Sequence, residues 1–367
     1  MGSILNFIFS ECDTLNCGPF RNYIQSHLPN CNESEIDLTN KNLILVEPVG
    51  ELDDNSCFYD IVKKYKDTDV KFLFCILGDP PISYKMKRIK NNLKGLIDLN
   101  RVIFLSSNIN LKGKTIFSFD YFLEESTWDM YSHFFGSYVN ELNYVSEDIK
   151  LDELDAFRDN KFLSFNRNVD KIHRFNLLHL YLGHLKKESL FSFLHFDGEM
   201  PIQYVKKDTD VDWKSKLPIE LDTDGQLGFR TTDTYKKELF LDTCIHIVTE
   251  TSFEENELFI SEKILKPILM YQPFIVLGPV GYLKRLKSYG FKTFSDFWDE
   301  SYDDIKSPRK RYKKVRELIL SLNEMSIEEM NELYQKTKEI CIFNRQLHQS
   351  MYINSIPKIL ERIENEW

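Results

Sequence analysis

"FISEKILKPILMYQPFIVLG", Phe259–Gly278, changes its period halfway along. Ile264, Leu265, Ile268 and Leu269 recur at helical spacing, while "PFIVLG" from Pro273 is an unbroken β-rich run stopped by Gly278. A helix that passes straight into a buried strand is the repeating unit of a parallel α/β sheet. Ser261 is a good N-cap, so Glu262 and Lys263 fall on the first helical turn.

Working outward, the same alternation fills both halves of the chain. "NLILVEPVG" (42–50), "VKFLFCILGD" (70–79), "NRVIFLSSN" (100–108) and "KTIFSFDYF" (114–122) read as strands, with a helix-like "CFYDIVKKY" between the first two. After the acidic stretch 144–160, a plausible connection between halves, "KFLSFNRN" (161–168), "SLFSFLHF" (189–196) and "CIHIVTETS" (244–252) read as further strands. "DKIHRFNLLHLYLGHL" (170–185) and "GYLKRLKSYGF" (281–291) read as helices, and the tail from Pro308 as mostly helical. The expected architecture is α/β: two Rossmann-like domains facing a cleft, with a helical C-terminal tail. The expected boundaries are 1–150 for an acceptor-side domain, 151–340 for a donor domain and 341–367 for a helical segment.

Composition narrows the class. The chain has 367 residues, 42% apolar and 28% charged, which suits a two-domain globular protein. A net charge of −10 argues against broad, salt-driven binding to nucleic acid. Seven cysteines without a CxxC give no zinc pattern and point to a reducing compartment, with Cys75 and Cys244 as buried thiols. The N-terminus lacks the basic leader of a signal peptide, and no run reaches the ~20 apolar residues of a membrane helix. A cytoplasmic protein with no membrane partner is the expectation.

Strand ends are where ligands of such sheets bind. A helix N-terminus attracts phosphate, and Lys263 adds a full charge there. The Glu262 carboxylate suits a ribose diol. The same pair also fits a plain helix start with an acidic first turn. In "SFNRNVDKIHR" (164–174), Arg167 ends a strand and Arg174 enters the next helix, a pair able to hold a pyrophosphate or to form a surface ion-pair face. His173 reads as a packing or capping residue. Glu250 follows a strand directly and is placed to meet a ligand hydroxyl.

Taken in order, "FNRNVDKIHR", "HIVTETSFEENELFISEKILKPILMYQPFIVLG" and "YLKRLKSYGFKTFSDFWDESYD" resemble the donor domain of α-1,3-fucosyltransferase-like glycosyltransferases, over about 161–305. The resemblance implies a GT-B fold, a GDP- or UDP-linked sugar donor, no cofactor, Glu262 on the ribose, and Lys263, Arg167 and Arg174 on the phosphates. Thr249-Glu250-Thr251-Ser252 stands where that family has Phe/Tyr-Glu-Asn-Ser, which leaves the donor sugar open.

Glycosyl transfer of this type needs cations on the leaving diphosphate and a base for the acceptor hydroxyl. An inverting, metal-independent reaction is expected, with a glycan, protein or modified base as acceptor. The base is expected in the N-terminal half: Glu47 and Glu51 first, then Asp79 and Asp120. The Asp-x-Asp triplets at 67/69, 208/210, 210/212 and 222/224 read as solvated loops rather than a metal site. The basic run "KSPRKRYKKVRE" (306–317) reads as an exposed helix face. Two other classes stay open: a DNA-base glycosyltransferase of viral type, and a non-catalytic nucleotide- or carbohydrate-binding module.

Overall fold

A computed structural model describes residues 5–9, 41–46, 57–76, 82–106, 116–118, 149–196, 204, 212–221, 237–253, 258–350 and 365. The chain divides into two compact units, one of residues 1–142 with 352–367 and one of residues 143–351.

The first unit holds strands β1 (Leu5–Phe9), β2 (Lys41–Val46), β3 (Lys71–Ile76), β4 (Val102–Ser106) and β5 (Ile116–Ser118). Helix α1 (Cys57–Lys64) links β2 to β3, and α2 (Ile82–Leu93) links β3 to β4. All four pairings are parallel and the strands lie in chain order, β1-β2-β3-β4-β5. The apolar runs explain the burial: successive residues Phe72, Leu73 and Phe74 are fully buried although they point to opposite faces. Burying each such phenylalanine contributes about 1.5–3 kcal/mol. Strand β1 is an addition to the sequence reading, which assigns no strand before residue 42.

The second unit holds β6 (Asn160–Asn168), β7 (Ser189–His195), β8 (Thr243–Thr249) and β9 (Phe274–Leu277), all parallel, in the order β7-β6-β8-β9. Here the strand order reverses between β6 and β8. Its helices are α3 (Ile172–Leu180), α4 (Lys237–Leu241), α5 (Leu265–Leu269), α6 (Tyr282–Ser288), α7 (Pro308–Asn323) and α8 (Ile327–Ser350).

Side-chain alternation shows which helix covers which face. Ser164 and Asn166 are in register with Phe191 and Phe193, and Tyr181, just past α3, packs on both phenylalanines. So α3 covers that face. Leu163, Phe165 and Arg167 point the other way, as do His246 and Glu250. There Phe165 packs on His246, and Lys266 of α5 lies 4.7 Å over the Phe165 ring. Helices on opposite faces after β6 and after β8 are the mark of a doubly wound sheet at its switch point.

The acidic stretch expected as a connection belongs, from residue 149, to the second unit. Leu154 and Arg158 are buried, and the Arg158 guanidinium lies 3.4 Å over the ring of Tyr334 on α8 while donating to the Leu154 and Ala156 carbonyls. Helix α8 is continuous through residue 340, so the helical tail begins inside this unit. The helix expected at Glu262 is shorter than its pattern: a 3-10 turn, Glu262–Ile264, precedes α5, and Pro267 sits within it.

Candidate functional site

At the switch point the carboxyl ends of β6 and β8 are tied by polar side chains. Ser164 Oγ donates to the Ile247 carbonyl at 2.7 Å, Asn166 Nδ2 to Ser164 Oγ at 3.1 Å, and Thr249 Oγ1 to Asn166 Oδ1 at 2.7 Å. All four residues are buried, so this chain fixes the relative height of the two strand ends.

Helix α3 brings two basic residues onto the same ends. Arg174, buried, donates through Nη2 to the Thr249 and Glu250 carbonyls, both at 3.2 Å, and through Nη1 to Asn168 O at 3.4 Å. A guanidinium on three strand-end carbonyls answers acceptors that the ladder leaves open. His173 Nε2 lies 2.9 Å from the Glu250 carbonyl, which only accepts, so this nitrogen carries the proton. Its ring stacks on Phe253 at 5.0 Å, and Arg311 of α7 covers the same phenylalanine at 4.4 Å. Arg311 also donates to Phe253 O and, at 2.6 Å, to Ile305 O. The turn after β8 is therefore held from two sides.

On the α5 face stands Glu250, with no exposed surface. Its backbone N–H continues the ladder to Leu277 O at 2.9 Å. Its carboxylate accepts from Ser261 N at 3.2 Å, from Ser261 Oγ at 2.6 Å and from the Tyr282 hydroxyl. Ser261 Oγ in turn accepts from Lys263 N at 3.3 Å and Lys263 Nζ at 3.2 Å, the cap expected for this residue. Lys263 Nζ also lies 3.4 Å from Thr251 Oγ1 and is half-buried.

Tyr282 is placed by one local and one long-range device. Gly281 takes φ 80°, a left-handed conformation that suits glycine, and opens α6. The Asp303 carboxylate accepts from Leu283 N and Lys284 N, both at 3.0 Å, capping that helix from a distant segment. Burial raises the Asp303 carboxyl above its ordinary range, and the two amide donors oppose the rise.

The structure thus brings Glu250, Ser261 and Lys263 into one cluster and lays Arg174 behind it. Arg167, half-buried, is two residues beyond Phe165 on the same face, about 6.6 Å further towards the carboxyl edge. Lys263 is one turn before Lys266, the residue that meets Phe165, so both cations lie towards that edge. Glu262 opens the 3-10 turn, and its side chain lies outside the described residues, as do Glu47, Glu51, Asp79 and Asp120. Asp67 and Asp69 sit in an exposed turn, and Asp212 is exposed. Among the described residues no group of three or more metal-ligating side chains forms. Cys244 is buried as expected, which pushes its thiol up to about 12, whereas the side chain of Cys75 lies outside the described residues.

Sequence reasoning missed Asn166, Thr249, Tyr282 and Arg311. The first two carried a faint signal, polar residues interrupting apolar strand runs near their carboxyl ends. Arg311 was hidden inside the basic run, whose Lys306, Arg309, Lys310 and Lys313 are exposed as expected. A groove of about 720 Å³ lined by Asp155, Phe157, Glu328 and Lys336 lies at the opposite, amino-terminal end of β6. No helix among the described residues is long and apolar enough to cross a membrane. No family model matches the chain, and no curated protein sequence matches it.

Proposed function

We propose that this protein is a glycosyltransferase that moves a sugar from a nucleotide-diphosphate donor to an acceptor hydroxyl, without a metal and with inversion. The supporting observation is the convergence at one strand-order reversal: Lys263 at a Ser261-capped helix start, Arg167 at the end of β6, and Arg174 behind both strand ends. Anionic ligands of α/β sheets bind at such points.

In this reading Lys263 and Arg167 face the diphosphate and stabilise the charge that develops as it leaves. Arg174 adds positive potential from behind while bracing the carbonyls. Glu262 takes the ribose diol. Glu250 is not a ligand group, because its carboxylate is occupied by Ser261 and Tyr282; it holds the frame. The acceptor proton passes to a carboxylate, with Glu47 and Glu51 as first candidates.

A thermal-shift panel of GDP, UDP, ADP and CMP tests the donor site, since a ligand that binds only the folded state raises the melting point. One nucleoside diphosphate is expected to raise it, and Lys263→Ala to reduce the rise. A flat response to all four removes the donor site. Turnover of the matching nucleotide sugar separates an enzyme from a binding module, and a salt-sensitive shift of duplex DNA would redirect the acceptor to a DNA base.

A further inference from the structure

We propose that Glu250 is a positioning residue that works through Ser261: its carboxylate, anchored by Tyr282, orients the serine hydroxyl so that the oxygen's lone pairs face Lys263. The inference rests on the reading of Lys263 as the phosphate cation.

The hydrogen-bond directions require this arrangement. A carboxylate only accepts, so at 2.6 Å Ser261 must spend its single hydroxyl proton on Glu250. What remains on Ser261 Oγ is acceptor capacity, and both the backbone N–H and the Nζ of Lys263 come to it. The Tyr282 hydroxyl is a second donor to the same carboxylate, from a side chain that is itself buried. Gly278 is part of the fit: a Cβ there would meet Tyr282 Cδ2 and Val276 Cγ1 at 3.1 Å and Glu250 Cγ at 3.5 Å. Glu250 thus joins three segments, the end of β8, the start of the 3-10 turn and the start of α6. Among the described residues, charged groups at this edge include Arg174, on the Thr249 and Glu250 carbonyls, and Arg167, on the same sheet face. His173 reaches the Glu250 backbone carbonyl.

An amide at position 250 would reverse the polarity. Gln carries a donor where the carboxylate had only acceptors, so Ser261 would receive a proton there instead of giving one. Lys263 would lose both an oriented acceptor and a nearby negative charge.

The test reads Lys263 without any ligand. Competitive acetylation of the full chain across pH, followed by mass spectrometry of the Lys263 peptide, gives the titration midpoint of its amine. In Glu250→Gln the midpoint is expected to fall by about one pH unit, since a nearby opposite charge favours the protonated form. Ser261→Ala, which keeps the carboxylate, is expected to lower it less, and Ser261→Thr to restore it. Inorganic pyrophosphate binding, measured by calorimetry on the same proteins, is expected to weaken about tenfold in Glu250→Gln, the loss of one charge-assisted interaction. Unchanged midpoints in Glu250→Gln and Ser261→Ala, whatever their melting points, would reduce Glu250 to a fold-holding contact and overturn the proposal. Should Glu250→Gln not fold, the Ala and Thr variants of Ser261 decide between the same two outcomes. A wild type that binds no pyrophosphate while the midpoints still move keeps the Glu250–Ser261 relay and removes the donor-site reading instead.

Discussion

The two sheets are made of similar strands and differ in order. In the first, β1 to β5 follow the chain, each pairing with the next. In the second, the chain runs from β6 to β7 on one side, then returns across β6 to place β8 and β9 on the other. Because crossovers between parallel strands are right-handed, progress in one direction keeps connecting helices on one face, whereas a reversal sends them to opposite faces and opens a crevice at the strand ends. The second sheet has such a reversal, and the described strands of the first, which keep one direction of progress, have none. The polar side chains at the ends of β6 and β8 sit where the reversal is, which is why the binding site is proposed there.

The strongest way to probe this contrast is to damage one sheet at a time. Phe74→Ala should destabilise the first unit by about 3–5 kcal/mol, and Phe162→Ala the second by a similar amount, read as a loss of amide-exchange protection confined to the altered unit. If the site belongs to the second sheet, the nucleotide-induced melting shift survives Phe74→Ala and is lost with Phe162→Ala. Loss in both would break the assignment.

Acid should act through the second unit. Burial, then the neighbouring Lys266 charge, pushes His246 down to about 3, and burial, then Arg345, pushes His348 down to about 4. The unfolded chain takes up these protons near pH 6.5 and the folded one does not, so stability is full above that pH and falls as pH drops towards the folded values. At pH 5 each histidine should cost about 2 kcal/mol. Urea midpoints at pH 7.5 and pH 5 measure the loss, and histidine ring resonances that titrate together near pH 6.5 in the folded protein would refute it.

Smaller effects lie at the site itself. Lys263→Ala should weaken diphosphate binding by about 10–100-fold, or about 1.4–2.7 kcal/mol, with little change in melting point. Arg167→Ala should weaken it by a comparable factor, and full binding in that variant would move the anion away from β6. At the bottom of the scale, Asp67→Asn and Asp69→Asn, in the exposed turn of the first unit, should change stability by less than about 0.5 kcal/mol and leave activity insensitive to EDTA. Activity lost in EDTA and restored by Mn²⁺ would reopen the metal question.

Much of this fold was legible. Runs such as "KFLFC" and "FIVL" are apolar on both faces, which only a covered parallel strand needs, and both appear as β3 and β9. Ser261 was legible as a cap because capping is local chemistry. Glu250 was legible as a residue of the site, but its task was not. Its partner Tyr282 lies 32 positions away, and Asp303, which places Tyr282, a further 21. Arg174 carried the right charge for a phosphate, yet three carbonyls of two strand ends take its guanidinium. Arg311 looked like one more exposed cation until Phe253, 58 positions earlier, was found beneath it.

By itself the sequence determined the alternation of strand and helix, the parallel character of both sheets and some of the residues at the ends of β6 and β8, Arg167, Arg174 and Glu250 among them, because periodicity, turn residues and caps act over a few positions. Strand order, the face each helix covers, and which of the charged groups are spent on the protein itself were decided only by tertiary structure. Those depend on contacts between segments tens of residues apart, where no local period records the partner.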